Sequence, residues 1–167
     1  MKWSEVDLTQ IGTTSFKGLP RFSGFKFQIP RGVCTYGLGS FKTIDVELAD
    51  PEFVDWWRAV ETSFAAGLEP FKSNMKGARL RLKVDDDTYV FDSDRQLKTP
   101  DMKEGLWRGA QLSCMVEICG IYFFNGEYGF TCRAKQIMVY DAEACDDDSP
   151  VGSPPCVLPS RALLDED

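Results

Sequence analysis

Two extended stretches facing each other across Asn125-Gly126 restrict this chain more than anything else in it. From Gln111 to Ile118 the apolar residues Leu112, Cys114, Val116 and Ile118 alternate with Ser113, Met115 and Glu117, the period of a strand with one buried face. Gly120 interrupts the pattern, and after Ile121-Tyr122-Phe123-Phe124 the pair Asn125-Gly126 supplies residues that tolerate positive φ, so the chain reverses there into a hairpin. On the return limb Phe130, Cys132 and Ala134 share one face while Arg133 and Lys135 share the other. Two successive polar residues, Lys135 and Gln136, then break the alternation. That break predicts a β-bulge, which returns Ile137 and Val139 to the buried side. A long hairpin kinked on both arms curves, and curved hairpins build small barrels.

The rest of the chain supplies complements to this hairpin. Residues 1–19 show no strong period, and Gly12, Thr13 and Thr14 read as a loop. Phe25, Phe27 and Ile29 alternate with Lys26 and Gln28, a strand that Pro30 ends. Val33 to Leu38 reads as a short strand or a loop. Ser40 to Leu48 alternates strictly, with Ile44, Val46 and Leu48 inward and Phe41, Thr43, Asp45 and Glu47 outward. At Asp50 the period becomes helical: Asp50 caps, Pro51 suits the first helical position, and Glu52 places a negative charge in the first turn. Phe53, Trp56, Trp57, Val60 and Phe64 form an apolar stripe that Gly67 terminates, and the stripe is read as core packing. From Ala78 to Val84 the residues Ala78, Leu80, Leu82 and Val84 face one way and Arg79, Arg81 and Lys83 the other. Asp85-Asp86-Asp87 makes a solvated turn, Thr88 to Phe91 starts a strand with Tyr89 and Phe91 on one side, and Ser93 to Glu104 is a polar loop. The class is all-β with one packed α-helix.

Charge divides the chain into two parts. Residues 141–167 carry eight acidic side chains against Arg161 alone, a net −7 that equals the charge of the whole 167-residue protein, so residues 1–140 sum to zero. The acidic segment contains four prolines and too little apolar surface to offset the entropy of ordering it, so a disordered tail is expected after a single domain over 1–140. Six cysteines stand at 34, 114, 119, 132, 145 and 156, three of them inside the hairpin's alternation, where a free thiol packs as a small apolar group. Met1-Lys2-Trp3-Ser4-Glu5 leads into polar sequence unlike a secretory signal. A reducing intracellular compartment is therefore expected. No apolar run approaches the roughly 20 residues of a membrane span, so a soluble protein with no membrane partner is expected.

Enzymatic chemistry has little to work with. The sequence has no histidine, which removes the commonest general base and metal ligand. Cys114 and Cys119 are five apart and would lie on opposite faces of a regular strand, which gives no zinc pattern, and Gly37-Leu38-Gly39 lacks the third glycine of a phosphate loop. Neither an enzyme nor a cofactor or metal is expected. What stands out instead is two cationic rows, Arg79, Arg81, Lys83 and Arg133, Lys135, beside the aromatics Trp107, Tyr122 and Tyr128. Single-stranded nucleic acid wants this pairing, because cations follow phosphates while aromatic faces stack bases.

The order of a strand such as Ser40–Leu48, an early aromatic helix and a terminal hairpin reading Cys119-Gly-Ile-Tyr-Phe-Phe-Asn-Gly-Glu-Tyr-Gly-Phe-Thr-Cys-Arg-Ala-Lys-Gln-Ile-Met-Val-Tyr140 resembles the single-stranded DNA-binding proteins of large double-stranded DNA viruses, relatives of the podophage single-stranded DNA-binding proteins. The resemblance runs from about Phe25 to Tyr140 and is specific at residue level only in the hairpin. It implies a five-stranded OB-fold-like barrel followed by an acidic tail, with Trp107, Tyr122, Arg133 and Lys135 near a DNA groove. It departs from the family pattern at Tyr122, where a tryptophan is expected, and at the tail, which ends Leu163-Leu164-Asp165-Glu166-Asp167 without an aromatic residue. The implied function is binding and protecting single-stranded DNA in replication or recombination, at a viral replication site in the host nucleus or cytoplasm. The tail would compete with DNA in the groove and recruit a polymerase, helicase or primase. DNA against RNA and a homodimer against a monomer stay open. The alternative is a structural or scaffolding module, a virion or protein-interaction protein in which the hairpin face is a protein interface.

Overall fold

A computed structural model describes residues 1–140 of the chain. The expected disorder of the tail falls outside those residues. In chain order the strands are β1 (Gly12–Phe16), β2 (Leu19–Ser23), β3 (Lys26–Gln28), β4 (Gly32–Cys34) and β5 (Thr43–Leu48), followed by the helix α1 (Pro51–Ala65). Then come β6 (Phe71–Lys72), β7 (Met75–Lys76), β8 (Arg79–Lys83), β9 (Tyr89–Phe91), β10 (Leu97–Lys98), β11 (Gln111–Phe124) and β12 (Glu127–Tyr140). The fold is mostly β with a single α-helix, as the periodicities predict. Among the described residues, no helix is long and apolar enough to cross a membrane.

The sheet is organised by the predicted hairpin. β11 and β12 pair antiparallel from Gln111↔Tyr140 to Phe124↔Glu127 around Asn125-Gly126, both at positive φ. β11 also pairs with β4, β4 with β5, β5 with β8, and β8 with β12. Those pairings return to the strand they started from, a closed circuit of five strands. The other seven hang on this circuit. The bulge falls where the polar doublet predicts it: Met115 pairs with Gln136 and Val116 with Ala134, leaving Lys135 as the extra residue. A second slip leaves Cys119 unmatched between Ile118↔Cys132 and Gly120↔Thr131, so the interruption read at Gly120 is also a bulge.

The core is aromatic. Asp50 caps α1 by accepting from the Glu52 amide at 2.9 Å, and the helix buries Phe53, Trp57 and Val60. Trp57 meets Phe27 and Phe130 at ring-centroid distances of 6.2 and 6.0 Å, and Phe64 meets Phe22 at 5.0 Å. These rings face Ile44, Val46, Leu80, Leu82, Val116 and Ile118, the inward sets predicted from alternation.

Two expectations need correction. Residues 1–19 read as unpatterned with a loop at Gly12-Thr13-Thr14, but Gly12–Phe16 and Leu19–Ser23 form the β1–β2 hairpin through a Lys17-Gly18 turn at positive φ. All five residues of β1 are exposed, so neither face imposes an apolar period on the sequence. The hairpin arms were also expected to bury one face only. Near the open end of β11–β12 the outer face is covered as well: Phe91, Met115 and Met138 form a separate buried cluster, and Tyr89 shares that outer side at 48% exposure. The polar members of this face are accommodated by pairing, as in the buried Gln28–Ser113 contact at 3.4 Å.

Candidate nucleic-acid interface

Alternation on β8 turns Leu80 and Leu82 inward and sends Arg79, Arg81 and Lys83 out. β5 runs alongside in the register Glu47↔Arg79, Asp45↔Arg81, Thr43↔Lys83, and across from it the β6–β7 turn brings Lys72, Ser73, Asn74 and Lys76 to the other side. The Asn74 carbonyl accepts from the Arg81 amide at 2.9 Å, which holds the turn to the strand. Between these walls lies Tyr122. A groove runs from Tyr36 past Arg79, Arg81 and Tyr122 and continues past Lys83 to Thr131.

Tyr122 owes its place to a glycine. It sits opposite Gly129, and a Cβ on Gly129 would fall 2.6–2.9 Å from the phenol end of the tyrosine. Only a residue without a side chain leaves room for the ring to lie across the neighbouring strand. Burial, and then the nearby Glu127 and Cys132, push the Tyr122 hydroxyl's pKa up, so it is a neutral hydrogen-bonding group.

The turn that carries Lys72, Asn74 and Lys76 is anchored from below. Glu61 of α1 is 8% exposed, and its carboxylate accepts from Trp57 Nε1 at 2.8 Å, from Ser73 Oγ at 2.8 and 2.9 Å, and from the Asn74 amide at 3.1 Å. A buried charge met by three donors is a strong tether between the helix and the groove wall.

The cations of the two rows differ in what already holds them. Arg81 donates to both oxygens of Asp45, at 2.9 and 3.2 Å, which pushes the guanidinium pKa up. Arg133 is paired with Asp85, and Lys135 stands 3.6 Å from Glu117. Arg79 donates to the Tyr36 hydroxyl, with its guanidinium 5.4 Å from that ring's centre. Among the described residues, no ion pair engages Lys72, Lys76, Arg79 or Lys83. Lys83 and Arg133 are register partners across β8 and β12, so the two predicted rows form one cationic surface.

The predicted aromatics are distributed differently. Tyr122 lines the groove. Tyr128 pairs with Phe123, ring centres 4.7 Å apart, on the opposite face of the hairpin. Trp107, at φ +68°, packs half-buried against the core and does not line the groove. Its loop nevertheless supports the groove: Leu38 donates to Leu106 and Gly109 to Cys34, at 2.8 and 2.7 Å, bracketing the loop that carries Tyr36. Sequence reasoning missed Tyr36, Lys72, Asn74 and Lys76. Two lysines flanking Ser73-Asn74-Met75 before Gly77 are a readable turn signal, whereas nothing local to Cys34-Thr35-Tyr36-Gly37 points to the groove.

No protein-family model matches the chain, and no curated protein matches it by sequence. Solved structures do match. The single-stranded DNA-binding protein from bacteriophage Enc34, in a C-terminally truncated form, superposes with a TM-score of 0.53 at 8% identity, covering 87% of this chain and 100% of that one. The same phage protein in complex with single-stranded DNA gives a TM-score of 0.51 at 11% identity, covering 83% of this chain and 96% of that one. The resemblance read from the hairpin is met at the level of architecture: this chain shares its fold with a phage single-stranded DNA-binding protein.

Proposed function

We propose that the chain is a non-enzymatic single-stranded DNA-binding protein that coats and protects DNA during replication or recombination without strong sequence preference. On this reading the closed circuit of β4, β5, β8, β12 and β11 is an OB-type barrel, and its β8 side is the DNA path. The observation that carries the proposal is the convergence on Tyr122 of four cations that have no carboxylate partner among the described residues, Lys72, Lys76, Arg79 and Lys83. The cations take phosphates, and Tyr122 and Tyr36 offer ring faces to bases. The fold shared with a DNA-binding phage protein supports the same reading.

The residues already held by carboxylates take a smaller part. Arg81, Arg133 and Lys135 contribute positive potential but must exchange a carboxylate for a phosphate to make a direct contact. Tyr128 and Trp107 act by supporting the hairpin tip and the Tyr36 loop. The acidic tail, with its net −7, competes for the same cations and is the element that replication partners bind.

Fluorescence anisotropy with labelled single-stranded and double-stranded DNA of one sequence, over a salt series, tests this. Four such cations predict a slope of log K against log salt of about −3 on single strands, from about −0.7 per phosphate neutralised. Double-stranded DNA should bind more weakly. Absence of single-strand binding at low salt would return the groove to a protein-interface role in a scaffolding module.

A further inference from the structure

The β1–β2 hairpin contributes little to the core. Every residue of β1 is exposed, and of β2 only Phe22 is buried, pinned at 5.8 Å from Phe25 and 5.0 Å from Phe64. The tip is chemically specific. Phe16 is 50% exposed, with the Arg21 guanidinium 4.5 Å from its ring centre and the Lys17 ammonium at 5.4 Å. Both cations lie over the exposed ring, and single-stranded nucleic acid can use such a unit by drawing the charges onto its phosphates while a base stacks on the ring.

Its position links it to the groove. Arg21 pairs with Gly120 of β11, and a Cβ on Gly120 would lie 2.6 Å from the Pro20 carbonyl oxygen and 3.2 Å from the Arg21 Cα. The glycine lets the hairpin cross the sheet in direct contact. Gly120 in turn is the register partner of Thr131, which lines the groove with Arg81, Lys83 and Tyr122. A strand leaving the groove at Thr131 therefore meets Arg21 next, and then Phe16 and Lys17.

Building on the single-stranded DNA reading, we infer that the β1–β2 hairpin is a second contact for the same DNA strand, which extends the site beyond the groove. Short oligonucleotides fill the groove alone, and only longer ones reach Phe16.

Affinity measured for oligothymidylates from about 4 to about 16 nucleotides, the range of site sizes for such folds, separates the two contacts. For the full chain, the double variant Phe16→Ala, Lys17→Ala should match wild type on the shortest oligomers and fall about tenfold behind on the longest. Arg21→Ala should show the same length dependence. Tyr122→Ala, by contrast, should weaken binding at every length. Equal affinities of the Phe16 and Lys17 variant and wild type at all lengths, or an equal loss at all lengths, would overturn the hairpin contact while leaving the groove in place. Failure of wild type to bind any oligothymidylate would overturn the groove reading and the hairpin contact together.

Discussion

Asp45 places the one carboxylate among the residues lining the groove beside its cations, and its two oxygens hold the Nε–Nη2 edge of Arg81. A phosphate approaching Arg81 must displace it. Replacing Asp45 by Asn should free the guanidinium, tighten binding to single-stranded DNA severalfold and steepen the salt slope by about 0.7, one further phosphate. Stability should change by less than about 1 kcal/mol, because the Arg81 side chain is 55% exposed and such pairs are screened by water. An unchanged slope in anisotropy titrations would show that DNA does not reach Arg81. At this scale the outward row Arg79, Arg81, Lys83 was legible because a strand of period two leaves no other place for it. The ion pairs that divide the row were not, since Asp45, Asp85 and Glu117 lie on other elements whose register with the cations only the folded sheet sets.

Elements act here through their joints more than through their own surfaces. Helix α1 was readable from Asp50-Pro51-Glu52 and its apolar stripe, and its role in the site rests on one residue outside that stripe, Glu61. Glu61→Gln keeps the size of the side chain but exchanges an acceptor-only carboxylate for an amide that can satisfy fewer of the Trp57, Ser73 and Asn74 donors. We expect a stability loss of about 1–3 kcal/mol by urea denaturation. We also expect DNA affinity to fall more for wild-type Lys72 and Lys76 than in a background where both are Ala, since the turn then has nothing to present. Equal losses in the two backgrounds would mean that the tether serves folding alone. The main hairpin was legible down to its bulge because Lys135-Gln136 breaks an otherwise regular alternation. The β1–β2 hairpin was not, because a strand exposed on both faces carries no such pattern and only its Lys17-Gly18 turn is encoded.

For the whole molecule, net charge and buried thiols set the response to solution conditions. With residues 1–140 neutral and residues 141–167 at −7, the proposed competition would set the covalently attached acidic segment against DNA at an effective concentration on the order of millimolar. Deleting 141–167 should tighten binding to single-stranded DNA at low salt, and the gain should shrink as salt screens the contact. No gain at low salt would exclude internal competition. Burial raises the Cys34 thiol from an ordinary value of 9.0 to about 11, and it raises Cys114 and Cys132 as well. A raised folded value means that the unfolded chain loses its protons first, so the thiol contribution is complete below pH 9 and declines above it, the Cys34 part between about 9 and about 11. The urea midpoint should fall over that window, and less steeply in Cys34→Ala; an identical decline in the variant would assign it to other groups.

The closed circuit of strands also governs how the chain comes to be folded. Gly32 of β4 meets Leu112 of β11, and Lys83 of β8 meets Arg133 of β12, so the ring is sealed by partners far apart in sequence. Proteins dominated by such distant pairings fold in roughly milliseconds to seconds, slowly for their size. During synthesis β4, β5 and β8 leave the ribosome well before the two strands that join them. Until β11 and β12 have emerged, the core begun by Val46, Leu80 and the aromatic stripe of α1 lacks Val116, Ile118 and Phe130. The unfinished chain is thus the form of this protein that exposes the most apolar surface to aggregation, and β12, which closes the circuit, is the strand that ends that exposure.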